Sequence, residues 1–136
     1  EGWEVVAWLK YVNSSGGNFV HPTVFAKTNA DMKLVKEEIF GPVVCAQPFS
    51  DESLEKIAEE ANNTSFGLAA SVWTKDISTA HKLAAKIRAG TVWVNCHNIF
   101  DASLPFGGYK ESGWGREMGH EVLKNYTEVK AVTVNL

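Results

Sequence analysis

The chain is poor in cysteine, in long apolar runs and in charge of one sign, and each shortage closes off a class of protein. Its two cysteines, Cys45 and Cys96, sit in separate apolar stretches, which fits a reducing, cytoplasmic setting better than a disulfide scaffold. No apolar run approaches the roughly 20 residues that cross a bilayer. The opening Glu1-Gly2-Trp3-Glu4 has neither the basic region nor the apolar core of a secretory signal, so none is expected. The Asn-x-Ser/Thr triplets at Asn13, Asn62, Asn63 and Asn125 are then read as chance. Formal net charge is -3 and Lys and Arg form no stripe, which disfavours nucleic acid as a partner. Low-complexity tracts and internal repeats are missing, which argues against disorder and solenoids.

Three signatures of chemistry are missing as well. His21, His81, His97 and His120 share no metal-ligand spacing with one another or with the cysteines, so no metal site is expected. No Gly-x-Ser-x-Gly elbow and no Gly-x-Gly-x-x-Gly fingerprint occurs.

What is present reads as one soluble domain over residues 1–136. Hydrophobic residues make up 45% and charged residues 21%, and 136 residues suffice for a real core. Residues 42–49 (PVVCAQPF) form a short apolar run, predicted as a buried strand. Ser50-Asp51-Glu52 signals a helix start. Leu54, Ile57, Ala58 and Ala61 then recur on one helical face. Residues 68–74 (LAASVWT) predict a second strand. Asp76 is placed to cap a helix whose apolar face is Ile77, Ala80, Leu83, Ala84 and Ile87, with Gly90 as its stop. Residues 91–95 (TVWVN) predict a third strand. Strand, helix, strand, helix, strand with short connections implies parallel pairing, hence an α/β, three-layer αβα fold with a mostly parallel sheet.

The flanks are less regular. Residues 3–12 alternate as a strand, Ser14-Ser15-Gly16-Gly17 reads as a turn, and residues 19–26 read as a returning strand. A short helix is expected over 31–38. A long loop follows Asn95. Residues 117–126 read as a helix with Met118, Val122, Leu123 and Tyr126 inward, and residues 130–136 (KAVTVNL) read as a final strand.

Three segments, in order, carry a resemblance. They are Lys36-Glu37-Glu38-Ile39-Phe40-Gly41-Pro42, then residues 62–69 (NNTSFGLA), then Gly90-Thr91-Val92-Trp93-Val94-Asn95 continuing through Pro105-Phe106-Gly107-Gly108-Tyr109-Lys110 to Ser112-Gly113-Trp114-Gly115-Arg116-Glu117. Together they resemble the C-terminal part of the NAD(P)-dependent aldehyde dehydrogenase superfamily, closest in look to bacterial phenylacetaldehyde and broad-range members.

Each candidate has a plain structural reading and a functional one. Glu38 alone would be a solvated helix-end carboxylate, although a carboxylate can accept two hydrogen bonds from a ribose diol. Phe40 and Leu68 alone would be core. The resemblance implies that Glu38 holds the nicotinamide-ribose hydroxyls, that Phe40 packs beside that ribose and that Leu68 lies near the nicotinamide. The loop after Asn95 follows the carboxyl end of a strand, where open α/β sheets place ligands, and its Phe100 and Phe106 either tuck into the core or line an apolar pocket. The resemblance implies that Asn98, Ile99, Phe100 and Phe106 line the passage that admits the aldehyde. Two phenylalanines there suit aliphatic or arylacetic aldehydes.

The same resemblance shows what the chain does not supply. The family's nucleophilic thiolate lies upstream of the segment matched by Glu38, and neither Cys45 nor Cys96 sits in the family's cysteine motif; each reads as a small buried hydrophobe. The water-activating glutamate and the dinucleotide-binding portion also belong to sequence outside this chain. Micromolar affinity needs about 8 kcal/mol, whereas a hydrogen bond to a charged group contributes about 1.5 to 3 kcal/mol. The isolated chain is therefore expected to bind NAD or NADP very weakly and to be inactive.

At the start of the chain, Trp3 and Trp8-Leu9 stand where relatives commonly carry alanine and a glycine pair. Two readings stay open: divergence with truncation, and an excised fragment redesigned to fold alone. Residues 130–136 resemble the family's oligomerisation strand, which implies a homodimer through that edge. A folding or oligomerisation module is thus the alternative to a role in catalysis.

Overall fold

The computed structural model describes residues 4–8, 16–17, 19–50 and 53–136. Trp3, Leu9, the side chain of Trp8, the Ser14-Ser15 half of the turn and the Asp51-Glu52 cap signal lie outside the described residues. The chain divides into two compact units, Glu1–Ser53 and Leu54–Leu136.

The first unit holds β1 (Glu4–Trp8), β2 (Thr23–Ala26), α1 (Lys33–Lys36) and β3 (Val43–Cys45). β1 pairs antiparallel with β2, Glu4 opposite Ala26, with a register irregularity between Val5 and Ala7. β2 pairs parallel with β3, Thr23 opposite Val43. Both returning strands are shorter than the apolar runs that announce them. β3 ends at Cys45, the Ala46 amide still donates to the Phe25 carbonyl, and the Thr28 hydroxyl then takes the Ala46 carbonyl at 3.3 Å. Thr28 is 6% exposed, the one buried polar residue among the described residues of this unit. The Cys45 thiol contacts the Leu34 carbonyl at 3.4 Å.

The second unit contains α2 (Leu54–Asn62), β4 (Phe66–Gly67), β5 (Ala69–Val72), α3 (Ile77–Lys86), β6 (Thr91–Val94) and β7 (Tyr109–Lys110). β5 and β6 run parallel, Ala69 opposite Thr91 through Val72 opposite Val94, with α3 as the crossover. β4 pairs antiparallel with β7. The fold class is α/β as the sequence implies, although two of the four described strand pairings are antiparallel. The helical apolar stripes do most of what their spacing predicts: Ala58, Ala80 and Leu83 are buried, whereas Ala61 and Ile77 are exposed, Ile77 at 67%. Ala58, Val72 and Leu83 form a buried cluster, and Leu54, Ile57, Ile87 and Val92 pack on it. Burying an aliphatic side chain of this size contributes about 1.5 to 3 kcal/mol.

Two expectations need correction. Gly90 does not stop α3; the helix ends at Lys86 because Ile87 turns extended. Gly90 instead admits a close pass of the backbone at Gly107. Residues 117–126 are not an α-helix. Met118 (φ 56°) and Gly119 (φ 61°) break the helical path, so only a 3₁₀ turn forms over His120–Asn125, and Leu123 and Tyr126 face solvent. Residues 130–136, for which the resemblance implies pairing across subunits, join no sheet of the described residues. Their alternation suits a strand, but a strand needs a hydrogen-bonded neighbour, and among the described residues none pairs with them. No helix among the described residues is long and apolar enough to cross a membrane.

Candidate functional site

The site grows from the end of β6. Asn95 leaves the strand with a left-handed backbone (φ 53°), and its side-chain amide both accepts from the Thr74 amide and donates to the Thr74 carbonyl, each at 2.9 Å. This two-bond clamp extends the β5–β6 pairing by one step after the strands have ended. Asn98 makes a second left-handed turn (φ 60°), and the chain then folds back over β6.

Trp93, 8% exposed on β6, is the anchor of that return. Its indole N–H donates to the Ile99 carbonyl at 2.7 Å. Its ring meets His97 edge-on at 5.2 Å between centroids and Phe100 at 5.7 Å, and Phe100 meets Phe106 at 5.1 Å. All three contacts have the T-shaped geometry that the aromatic quadrupole favours. Phe106 is held in turn by reciprocal 2.7 Å backbone bonds with Glu117.

Trp93, Phe100 and Phe106 wall a cavity of about 240 Å³, whose lining does not include His97. Its apolar lining includes Trp93, Ile99, Phe100, Leu104, Phe106 and Met118. Polar atoms are few. The Thr91 hydroxyl oxygen is buried without a hydrogen-bond partner, and Thr91 belongs to the lining. Asp101, at the same wall, accepts from the Ser103 amide at 2.8 Å and the Ser103 hydroxyl at 2.7 Å. Those bonds, the backbone one foremost, hold its carboxyl below the ordinary carboxylate range. Cys96 also reaches the wall.

A second recess, about 330 Å³, shares Phe106 with the cavity and is lined by Leu68, Gly107, Gly108, Arg116 and Glu117 among others. Arg116 shapes it by donating to the carbonyls of Gly108 at 2.9 Å, Gly115 at 2.8 Å and Trp114 at 3.2 Å, with its guanidinium 5.3 Å from the Tyr109 ring centre.

The structure therefore brings Ile99, Phe100 and Phe106 to one cavity, and Leu68 and Phe106 to the recess beside it. Asn98 is exposed and lines neither. Glu38 and Phe40 belong to the first unit, in the stretch between α1 and β3; both are exposed, Phe40 at 97%. Sequence reasoning missed Trp93, Thr91, Leu104 and Met118 as lining residues. The spacing Trp93, His97, Phe100 across a strand end was the available signal. Partial burial pushes the Cys45 thiol up, which is opposite to what a nucleophilic thiolate needs.

The aromatic-walled cavity thus lies at the carboxyl end of a parallel strand, the position at which open α/β sheets place ligands. The chain belongs to the aldehyde dehydrogenase family, whose model matches residues 1–132. It is 57% identical over 120 residues to a putative aldehyde dehydrogenase, DhaS, of Bacillus subtilis, covering 88% of this chain and 24% of that protein. It is 50% identical to the mitochondrial benzaldehyde dehydrogenase of Antirrhinum majus, covering 88% and 22%. Among solved structures, the NAD+ complex of a Bacillus cereus aldehyde dehydrogenase superposes with a TM-score of 0.85 at 52% identity, over 99% of this chain and 27% of that one. A mutant of a P. syringae indole-3-acetaldehyde dehydrogenase in complex with NAD+ and IAA gives 0.87 at 41%, over 99% and 27%. The chain thus spans about a quarter of the length of these relatives.

Proposed function

We propose that this chain is a portion of a cytoplasmic oxidoreductase that oxidises an aldehyde to a carboxylic acid with NAD or NADP. The observation that carries the reading is the convergence of Ile99, Phe100 and Phe106 on one apolar cavity in a chain of this family. The cavity receives the organic part of the aldehyde, and Asn98 contributes to the approach. Leu68 lies toward the nicotinamide, Phe40 packs on its ribose, and the Glu38 carboxylate accepts the two ribose hydroxyls. The bound NAD+ named for two of the similar structures supports a nicotinamide cofactor. When bound, that cofactor supplies the hydride acceptor.

Sequence outside this chain supplies the nucleophilic thiolate and the dinucleotide-binding portion. The chain by itself is then inactive and holds no cofactor. The test is steady-state kinetics of the full-length enzyme carrying Glu38→Gln or Phe100→Ala. Loss of the charged acceptor raises KM for NAD(P)+ about 10- to 100-fold, and Phe100→Ala raises KM for the aldehyde. If Glu38→Gln leaves the cofactor KM unchanged, the cofactor assignment fails; if no aldehyde is oxidised, the reading itself fails.

A second reading, an assembly module, is favoured by the exposed apolar side chains near the C-terminus: Val132 at 77%, Val134 at 71% and Leu136 at 114%. Edges of this kind recruit another strand. Light scattering that shows a dimer, lost on Val132→Lys/Val134→Lys, supports a homodimer through residues 130–136; a monomer opposes it.

A further inference from the structure

The Ser71 hydroxyl, on β5, lies 2.7 Å from Nδ1 of His97. His97 is exposed, so burial does not fix its ring. Ser71 holds its Nδ1, and its ring edge then bears on the Trp93 indole, which is otherwise held by its bond to the Ile99 carbonyl. Trp93 is in turn the ring against which Phe100 stands, and Phe100 stands against Phe106. Ser71 and Trp93 are directly opposite in the parallel pairing of β5 and β6. The pair therefore bridges adjacent strands at the base of the loop that forms the cavity wall.

We propose that His97 is a positioning residue: held by Ser71, it sets the Trp93 ring, and through it the tilt of Phe100, so that the wall accepts a planar aromatic ring edge-on. This rests on the aldehyde dehydrogenase reading for the identity of the ligand, but not for the coupling itself. The chain of contacts is continuous, Ser71 to His97 to Trp93 to Phe100 to Phe106. Each ring pair is at a centroid distance where orientation matters energetically. A flexible alkyl aldehyde adapts to a displaced wall, whereas a planar ring does not. The coupling is thus specific to ring-bearing substrates and invisible to small aliphatic ones.

The experiment uses the full-length enzyme with Ser71→Ala, His97→Ala and His97→Asn, the last keeping a polar partner for Ser71 near the position of Nδ1. Two readouts are taken. In the first, the protein is labelled with 5-fluorotryptophan and the Trp93 resonance is assigned by Trp93→Phe. Ser71→Ala and His97→Ala shift it, and His97→Asn moves it less than His97→Ala. In the second, benzaldehyde and propanal are compared. The KM ratio of benzaldehyde to propanal rises about 3- to 10-fold, the effect of one misplaced aromatic contact, with kcat for propanal unchanged.

An unmoved Trp93 resonance in both alanine variants overturns the coupling. A shifted resonance with an unchanged KM ratio overturns its role in selecting substrates, as does an equal fall in kcat for both aldehydes. Absence of any aldehyde oxidation by the unmodified enzyme strikes the functional reading instead, and the fluorine spectrum still decides the coupling.

Discussion

The carbonyl oxygen of Gly107 occupies the space in which a side chain on Gly90 would begin. Gly90 also donates its amide to the Gly67 carbonyl at 3.0 Å, and a Cβ on Gly67 would meet the Arg88 carbonyl at 2.7 Å. Three backbone segments, from β4, from the approach to β6 and from the loop after Phe106, thus pass too closely for side chains. Gly90→Ala forces them apart and is expected to cost about 1 to 3 kcal/mol or more, measured by urea unfolding. Gly115→Ala, where a Cβ meets nothing within 4 Å, is the control and stays within about 0.5 kcal/mol.

Asn62 ties the end of α2 to the end of α3. Its Nδ2 donates to the Lys86 carbonyl at 2.9 Å and its Oδ1 accepts from the Arg88 amide at 2.7 Å. The side chain thereby pairs the Lys86 carbonyl, one of those the last turn of α3 leaves without a helical partner, and the Arg88 amide just past the helix end. Its own carbonyl accepts from Lys110 at 2.9 Å, which brings in β7. Asn62→Ala removes two hydrogen bonds, and at about 0.5 to 1.5 kcal/mol each the loss should show in the urea midpoint. Asn62→Asp keeps only the acceptor and falls between the two.

These two sites show where the sequence was legible. Most of the stripe Leu54, Ile57, Ala58, Ala61 and of the stripe Ile77, Ala80, Leu83, Ala84, Ile87 reported the core, because helical burial repeats with the helical period, while Ala61 and Ile77 lie at the exposed margins. Asp76 was legible as a cap, and it accepts from the Ser78 amide at 3.1 Å and the Thr79 amide at 3.0 Å. Phe100 and Phe106 were legible as rings that must cover something, core or pocket, and the resemblance alone chose the pocket. Trp93 was not, since its place on a strand alternation looks the same whether it faces core or cavity. The role of Gly90 was misread because a glycine at a helix end and a glycine under a crossing backbone have the same local sequence. Residues 117–126 failed for a related reason: their apolar spacing is helical, but Met118 and Gly119 take left-handed backbone to keep the Phe106–Glu117 bridge and the Gly119 bond to Ala102.

Stability should have an acid limb at Asp76. Its carboxyl sits below the ordinary carboxylate range because of its bonds to the Thr79 side chain, then the Thr79 and Ser78 amides. A group whose folded pKa is depressed contributes stability that is full above its unfolded pKa, about 3.9, and is lost as pH falls through the lower folded value. Asp76→Ala should lower the thermal midpoint at pH 7 and flatten its decline below about pH 4. Asp76→Ser, which keeps a capping oxygen without the titrating charge, should recover most of the midpoint and still flatten the acid decline. Thermal scans from pH 7 to 2.5 decide this.

Core and cavity should separate under mutation. Leu83, 8% exposed, is packed in the cluster with Ala58 and Val72, whereas Phe100, 50% exposed, touches Trp93 and Phe106 only through ring edges. Leu83→Ala leaves a void that its helix and β5 cannot close, and should cost about 2 to 5 kcal/mol. Phe100→Leu keeps apolar volume and loses two T-shaped contacts, so its cost should stay near 1 kcal/mol. The ranking reverses for ligand recognition in the full-length enzyme. Phe100→Leu should raise KM for an aromatic aldehyde severalfold, while a Leu83→Ala sample held at a temperature where it remains folded keeps the parental KM. A Phe100→Leu protein with unchanged aromatic KM would mean that the rings at the end of β6 pack only against each other, and the cavity they enclose would lose its claim to the substrate.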